Sequence, residues 1–184
     1  MRTLVVTQNM TVDGSIEMLG DWFNPQGRGD TSDLQAELHR QDEQSDALLL
    51  GRQTFMDFRG YWRDLADDTT GISGSLTAQH KFVVSRTLTD PDWQNTTVLS
   101  GDPITEVRGL KEQDGRDIVI TGSITLTHAV VRAGLVDEYR LFVHPAVQGR
   151  GKRLTAAGDE LPALRLLDSK TFNAGVVLLR YAAA

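Results

Sequence analysis

An apolar strand that runs through a glycine directly into a helix occurs twice in this 184-residue chain. The first instance is Asp46-Ala47-Leu48-Leu49-Leu50-Gly51-Arg52-Gln53-Thr54, and the second is Asp117-Ile118-Val119-Ile120-Thr121-Gly122-Ser123-Ile124. Between them, Lys81-Phe82-Val83-Val84-Ser85-Arg86-Thr87 brings a strand to an end on Ser-Arg. A short run that is apolar at every position needs cover on both faces, as parallel strands have in an α/β sheet. A helix start carries backbone N–H groups with no partner inside the helix, together with the positive end of the helix dipole, so it suits a phosphate. At any one such junction, glycine is also explained by the tight turn alone. Two in order, with an arginine between them, point to a ligand bearing several phosphates. A dinucleotide with an extra 2′-phosphate is the simplest candidate. Arg86 is the reader expected for that phosphate because its forked donors match phosphate oxygens, and Ser85 and Thr87 add hydroxyls.

The rest of the chain reads in the same way. Residues 3–8 are expected to form a buried strand, and residues 9–32, rich in glycine and without periodicity, a long loop. Asp33 to Gln44 predicts a helix capped by Thr31 or Ser32, and Thr54 to Trp62 a second with Phe55, Phe58 and Trp62 on its apolar face. Asp64 to Gln79 reads as irregular. Residues 81–85 and 96–99 read as strands, Pro103 to Lys111 as a helix with proline in its first turn, and 117–121 as a strand. Ser123 is the expected cap of a helix that stops at Gly134. Residues 137–144, 163–172 and 176–182 then follow as strands with no helix between them. Asn173-Ala174-Gly175 is the expected turn between the last two. The prediction is an α/β fold in one domain over 1–184, its central sheet mostly parallel with an antiparallel C-terminal edge.

Composition removes several classes of function. The chain has no cysteine, which excludes disulfides, thiolate nucleophiles and cysteine-ligated zinc. Its net charge of −6 argues against a nucleic-acid surface. The start of the chain turns polar at Gln8-Asn9, too early for a signal peptide, and no apolar run approaches the ~18 residues of a membrane span. The expectation is a soluble, cytoplasmic protein. Common fingerprints are missing: there is no GxGxxG, HExxH or GxSxG. Gly149-Arg150-Gly151-Lys152-Arg153 fails as a P-loop, because Arg153 stands where Ser or Thr would hold magnesium. The four histidines are scattered, away from metal-ligand spacing, and no metal is expected.

Six short motifs then fall in a familiar order. They are Thr11-Val12-Asp13-Gly14, Leu50-Gly51-Arg52-Gln53-Thr54-Phe55, Val84-Ser85-Arg86-Thr87-Leu88, Gly122-Ser123-Ile124-Thr125-Leu126, Leu135-Val136-Asp137-Glu138 and Pro145-Ala146-Val147-Gln148-Gly149-Arg150-Gly151. In this order the chain resembles the dihydrofolate reductase-like superfamily, a three-layer fold. Within it, the chain is most similar to the reductase domain of bacterial riboflavin-biosynthesis deaminase-reductases and its stand-alone relatives. The resemblance covers nearly the whole chain. It implies NADPH at the carboxyl edge of the sheet, a substrate cleft beside the loop after the first strand, and a homodimer. Carried over by position, Gly51, Arg52, Gln53 and Thr54 would hold the pyrophosphate. Ser85, Arg86 and Thr87 would hold the 2′-phosphate, and Gly122, Ser123, Ile124 and Thr125 the other phosphate side. The deaminase half is missing, and Thr11 stands where the family usually has serine.

The cofactor carries the hydride, so the protein must position the ring, exclude water and supply a proton. Asp13 and Asp33 are the candidate acids, Asp13 at the cleft and Asp33 at the start of the first helix, with Glu17 a third choice. Turn formation for Asp13 and helix capping for Asp33 are the competing explanations. Trp22, Phe23 and Pro25 are candidates for a lid over the substrate ring. Arg150, with Lys152 and Arg153, is available to a substrate phosphate, or is simply a solvated charge run. The expected activity is reduction of a phosphoribosylamino-pyrimidine, with a dihydropterin as the alternative. A nucleotide-binding protein without turnover and a purely structural domain are the readings from other classes.

Overall fold

Strand β1 (Leu4–Thr11) lies deep inside the sheet because both its faces are covered: Leu4, Val5 and Val6 are fully buried. The computed structural model describes residues 1–24, 29–159 and 163–183. After β1 come α1 (Ser32–Asp42), β2 (Ser45–Gly51), α2 (Arg52–Trp62), α3 (Ile72–Ala78), β3 (His80–Val84), β4 (Thr96–Leu99), α4 (Pro103–Glu112), β5 (Asp117–Thr121), α5 (Ile124–Arg132), β6 (Glu138–His144), β7 (Leu164–Thr171) and β8 (Val177–Ala183). The strands form one eight-stranded sheet in the order β4-β3-β2-β5-β1-β6-β8-β7. Strands β1 to β6 are parallel, and β8 and β7 add antiparallel at the edge.

The all-apolar β2 shows why the layers are three. Ala47 and Leu49 face a core with Val107 and Leu110 of α4 and Leu126 and Val130 of α5. Leu48 and Leu50 face the opposite core, with Phe55 and Trp62 of α2 and Leu76 of α3. Helix α1 covers the same face further along, where Leu34 and Leu38 pack on Phe142, Phe172 and Leu178. Each fully buried side chain of this kind contributes about 1.5–3 kcal/mol relative to exposure. Among the described residues no helix is long and apolar enough to cross a membrane.

Three expectations change. β1 extends to Thr11, so residues 9–11 belong to the sheet, in register with Phe142, Val143 and His144 of β6. The stretch Asp64–Gln79 is not wholly irregular. Asp68 accepts hydrogen bonds from the backbone and hydroxyl groups of Thr70 and Ser73, which sets up α3, and buried Leu76 anchors it. Ser123 occupies the cap position of α5 but makes no side-chain capping bond; its φ of 42° turns the hydroxyl elsewhere.

The two edges of the parallel sheet are finished differently. At the amino edge, ion pairs knit the strand starts together. Arg140, 2% exposed, bonds Asp117 at 2.9 Å and Glu138 at 2.7 Å, Arg2 pairs with Asp46, and Lys111 with Asp137. The carboxyl edge is built from glycines, hydroxyls and exposed arginines instead, and the predicted site residues other than Asp33 gather there.

Candidate cofactor and substrate site

Gly51 pairs with Val84, and Leu49 with Ile120, so β3, β2 and β5 end side by side. The strand-glycine-helix junctions therefore become neighbours in space and are tied to each other. Gly51 N–H donates to Ser123 Oγ at 3.0 Å, and Ser123 N–H donates to Thr54 Oγ1 at 2.9 Å. Gly122, with φ of 55°, sits against Thr54, where a Cβ would come within 3.1 Å of Thr54 Cγ2. Gln8, buried at the middle of β1, donates to Gly122 O at 2.8 Å and locks the turn from the other side. These bonds use the N–H groups of Gly51 and Ser123. Helix geometry leaves the first-turn N–H groups of α2, from Arg52, Gln53 and Thr54, and of α5, from Ile124 and Thr125, without intrahelical partners.

Ser85 and Arg86 leave β3 beside this double junction. The Ser85 hydroxyl accepts from Thr87 N–H at 3.2 Å and Leu88 N–H at 3.0 Å, which curls the chain and exposes Arg86 and Thr87. The Arg86 guanidinium lies near Asp102, whose carboxyl is held below its ordinary range by the N–H and hydroxyl of Thr105 and, more weakly, by Arg86. Neither Arg52 nor Arg86 is held by a hydrogen bond or ion pair from another described residue. Gln53 bonds Asp57 one turn along α2. Two helix starts, two unengaged guanidiniums and the hydroxyls of Thr87 and Thr125 form a donor set that fits a dinucleotide with a third phosphate.

The far half of the edge, beyond β1 and β6, is a second construction. Thr11 Oγ1 donates to Asp13 Oδ1 at 2.6 Å and accepts from Ser15 N–H at 3.0 Å. The Asp13 carboxylate also accepts from Gln148 N–H at 3.1 Å and Gly149 N–H at 2.8 Å. The Thr11 hydroxyl and these two backbone donors pull the Asp13 carboxyl down to about 2, so it stays ionised near neutral pH. Gln148 fastens the loop after β1 to the loop after β6. Its side-chain NH2 donates to Ser15 Oγ, Glu17 O and Arg150 O, and its carbonyl accepts from Leu19 N–H and Trp22 Nε1. Trp22 and Phe23 lie edge-on to His144, with ring centroids 5.4 and 5.5 Å away, and His144 bonds Asn9 Oδ1 at 2.9 Å. Burial pushes the His144 imidazole below its ordinary range.

The structure thus brings Asp13, Trp22 and Arg150 to one end of the edge and the phosphate-directed residues to the other. Asp33 is hydrogen-bonded to neither group. Its carboxylate accepts from its neighbour Leu34 N–H at 2.8 Å and from Asn173 N–H at 2.9 Å, pinning the start of α1 to the β7–β8 turn. Pro25, a candidate for the lid, lies outside the described residues. Gln8, Asn9 and His144, and Gln148 within its motif, also bond along this edge, and the sequence assigned none of them a role. Their only local signal is a polar side chain inside or next to an apolar strand.

Comparison with known proteins follows the same lines. The uncharacterized protein YyaP of Bacillus subtilis (strain 168) is 31% identical over 186 residues, which span 98% of this chain and 94% of that protein. A putative riboflavin biosynthesis protein from Shewanella sp. PV-4 superposes with a TM-score of 0.71 at 17% identity, covering 99% of each chain. The diaminohydroxyphosphoribosylaminopyrimidine deaminase/5-amino-6-(5-phosphoribosylamino)uracil reductase of Thermotoga maritima gives 0.68 at 14% identity, over all of this chain and 57% of that one. With residues 2–178 matching its family model, the chain belongs to the RibD C-terminal domain family.

Proposed function

We propose that the protein is an NADPH-dependent reductase of a small heterocyclic compound, in the manner of a 5-amino-6-(5-phosphoribosylamino)uracil reductase. The observation that carries this reading is the meeting of the α2 and α5 starts with an unengaged Arg86 on one sheet edge. In open α/β sheets, ligands bind beyond the carboxyl ends of the strands. NADPH would supply the hydride. The first turns of α2 and α5 would bind the pyrophosphate, and Arg86 with Thr87 the 2′-phosphate. Asn9, Thr11 and His144 would form the floor under the reacting ring, and Trp22 and Phe23 would shield it from water.

In this reading Asp13 is a positioning residue. An acid held ionised at about 2 by its own loop does not donate a proton near neutral pH. Each Asp33 carboxylate oxygen already accepts a backbone N–H, from Leu34 and from Asn173, so this reading gives Asp33 a structural role and favours a pyrimidine over a dihydropterin. The same reading takes the protein as a cytoplasmic homodimer, which sedimentation would check.

The experiment is a melting curve with NADPH, with NADH and with neither, followed by substrate-dependent NADPH oxidation. A ligand at about 100 times its Kd adds roughly 2.7 kcal/mol, a shift of several degrees. A shift with NADPH well above that with NADH, and oxidation that requires the pyrimidine, would support the reading. No shift with either nucleotide at millimolar concentration would overturn it.

A further inference from the structure

Three cations follow one another on the loop after β6, next to the aromatic end of the cleft, where a substrate phosphate would look for a counter-charge. Two of them are already engaged by the protein's own acceptors. Lys152 Nζ pairs with Glu17 Oε1 at 3.3 Å, and its backbone N–H donates to Glu17 Oε2 at 3.2 Å. The Arg153 guanidinium donates to the backbone carbonyl of Asp13 and fills the space above Gly14, where a Cβ would lie 2.9 Å from Arg153 Nη1. The loop's own anion-binding donors, the N–H groups of Gln148 and Gly149, both point at the Asp13 carboxylate. Among the described residues of this loop, only Arg150 keeps an unengaged positive side chain.

An arriving phosphate, with a charge near −2, would meet two carboxylates that already hold the local donors, Glu17 the Lys152 ammonium and Asp13 the backbone N–H groups. To bind there it would have to break the Glu17–Lys152 pair or displace Asp13 from its two N–H groups. A neutral flat ring meets no such obstacle. It finds Trp22, Phe23 and His144, and aromatic groups pack well edge-on or offset against one another.

Resting on the reductase reading above, we propose that this cleft takes an unphosphorylated planar heterocycle, a free base or riboside, in place of the phosphoribosyl compound that names the Thermotoga maritima reductase. The Glu17–Lys152 pair and the Asp13 cap are what exclude the phosphate, and Glu17 is a specificity-determining residue.

The test is calorimetric titration of the full chain with 5-amino-6-ribosylaminouracil, with its 5-phosphate and with dihydropterin, each with and without NADPH. The riboside is expected to bind at least as tightly as its phosphate. Glu17→Gln, which frees Lys152, is expected to shift the ratio of the two Kd values threefold to tenfold toward the phosphate. A wild-type chain that binds the phosphate tenfold more tightly than the riboside would overturn the proposal. So would a chain that binds none of the three at millimolar concentration, or a Glu17→Gln ratio equal to wild type. NADPH oxidation is read separately. Riboside binding without oxidation would remove the reductase reading and leave the specificity intact, whereas rapid oxidation with a tenfold lower KM for the phosphate would do the opposite.

Discussion

Gly51 gives its backbone N–H to the hydroxyl of Ser123 at 3.0 Å, so two helix starts 72 residues apart are held as one unit. Gly51 itself has an ordinary extended backbone (φ −76°, ψ 157°), and a Cβ there would meet nothing closer than Ser123 Cβ at 3.8 Å. The fold therefore tolerates Gly51→Ala, and a requirement for glycine would come from a ligand pressed against the backbone. Gly51→Ala is expected to move the Tm by no more than about 2 °C while weakening NADPH roughly tenfold. Ser123→Ala deprives Gly51 N–H of its acceptor and is expected to lower stability by about 1 kcal/mol. Thermal melts with and without nucleotide check both.

Among the described residues Arg86 makes no hydrogen bond or ion pair beyond a weak attraction to Asp102, so its removal isolates binding. Arg86→Gln is expected to leave the melting curve of the free protein unchanged and to weaken NADPH by roughly tenfold or more, with NADH unaffected. Equal losses for both nucleotides would place the 2′-phosphate elsewhere.

Asp13 predicts an acid response of the loops. Its carboxyl titrates at about 2 in the folded chain against an ordinary 3.8, so the folded state binds the proton less readily than the unfolded one. The stability it lends is complete above pH 3.8 and is lost as the pH falls through about 2. The Trp22 indole N–H, held by Gln148, reports on this linkage in two-dimensional NMR spectra. Asp13→Asn is expected to show at neutral pH the Trp22 shift that wild type shows only in strong acid.

Lys81 gives a response at alkaline pH. It is fully buried beneath Trp93 and donates to the carbonyls of Leu76 and Gln79. Burial lowers its ammonium from 10.5 to about 8. Between these values the unfolded chain holds the proton that the folded chain has released, so stability rises with pH. From pH 8 to 10 wild type is expected to gain on the order of 2 kcal/mol over Lys81→Met, measured by urea unfolding at each pH.

The parallel strands and both junctions were legible because each is a local pattern: an apolar run, a glycine, a helical period. What was not legible depends on partners far away in sequence. Gln8 and Asn9 look like the start of a loop, yet they are strand residues whose side chains bond Gly122 O and His144. Ser123 looks like a cap for its own helix, and its hydroxyl is drawn instead to Gly51. Gln148 is one polar residue in a glycine-rich loop until Ser15, Glu17 and Trp22 come together around it. Helix α3 escaped because a carboxylate four residues upstream, Asp68, organises its start where no apolar period does.

The pairing of β1 sets a timetable for synthesis. Its neighbours on either side, β5 and β6, are made more than 100 residues later, with Leu4 opposite Ile118 and Thr11 opposite His144. A strand that must wait this long pays a large loop-closure entropy and folds slowly. The growing chain can dock β2, β3 and β4 together first, with β1 tethered and unpaired. When β5 and β6 emerge, β1 inserts between them, and the α5 start and the Gln148 loop join the α2 start and Arg86, already placed by β2 and β3. A nascent chain stopped before β6 would hold the whole phosphate-directed donor set, yet lack His144 and the Gln148 loop that complete the substrate end.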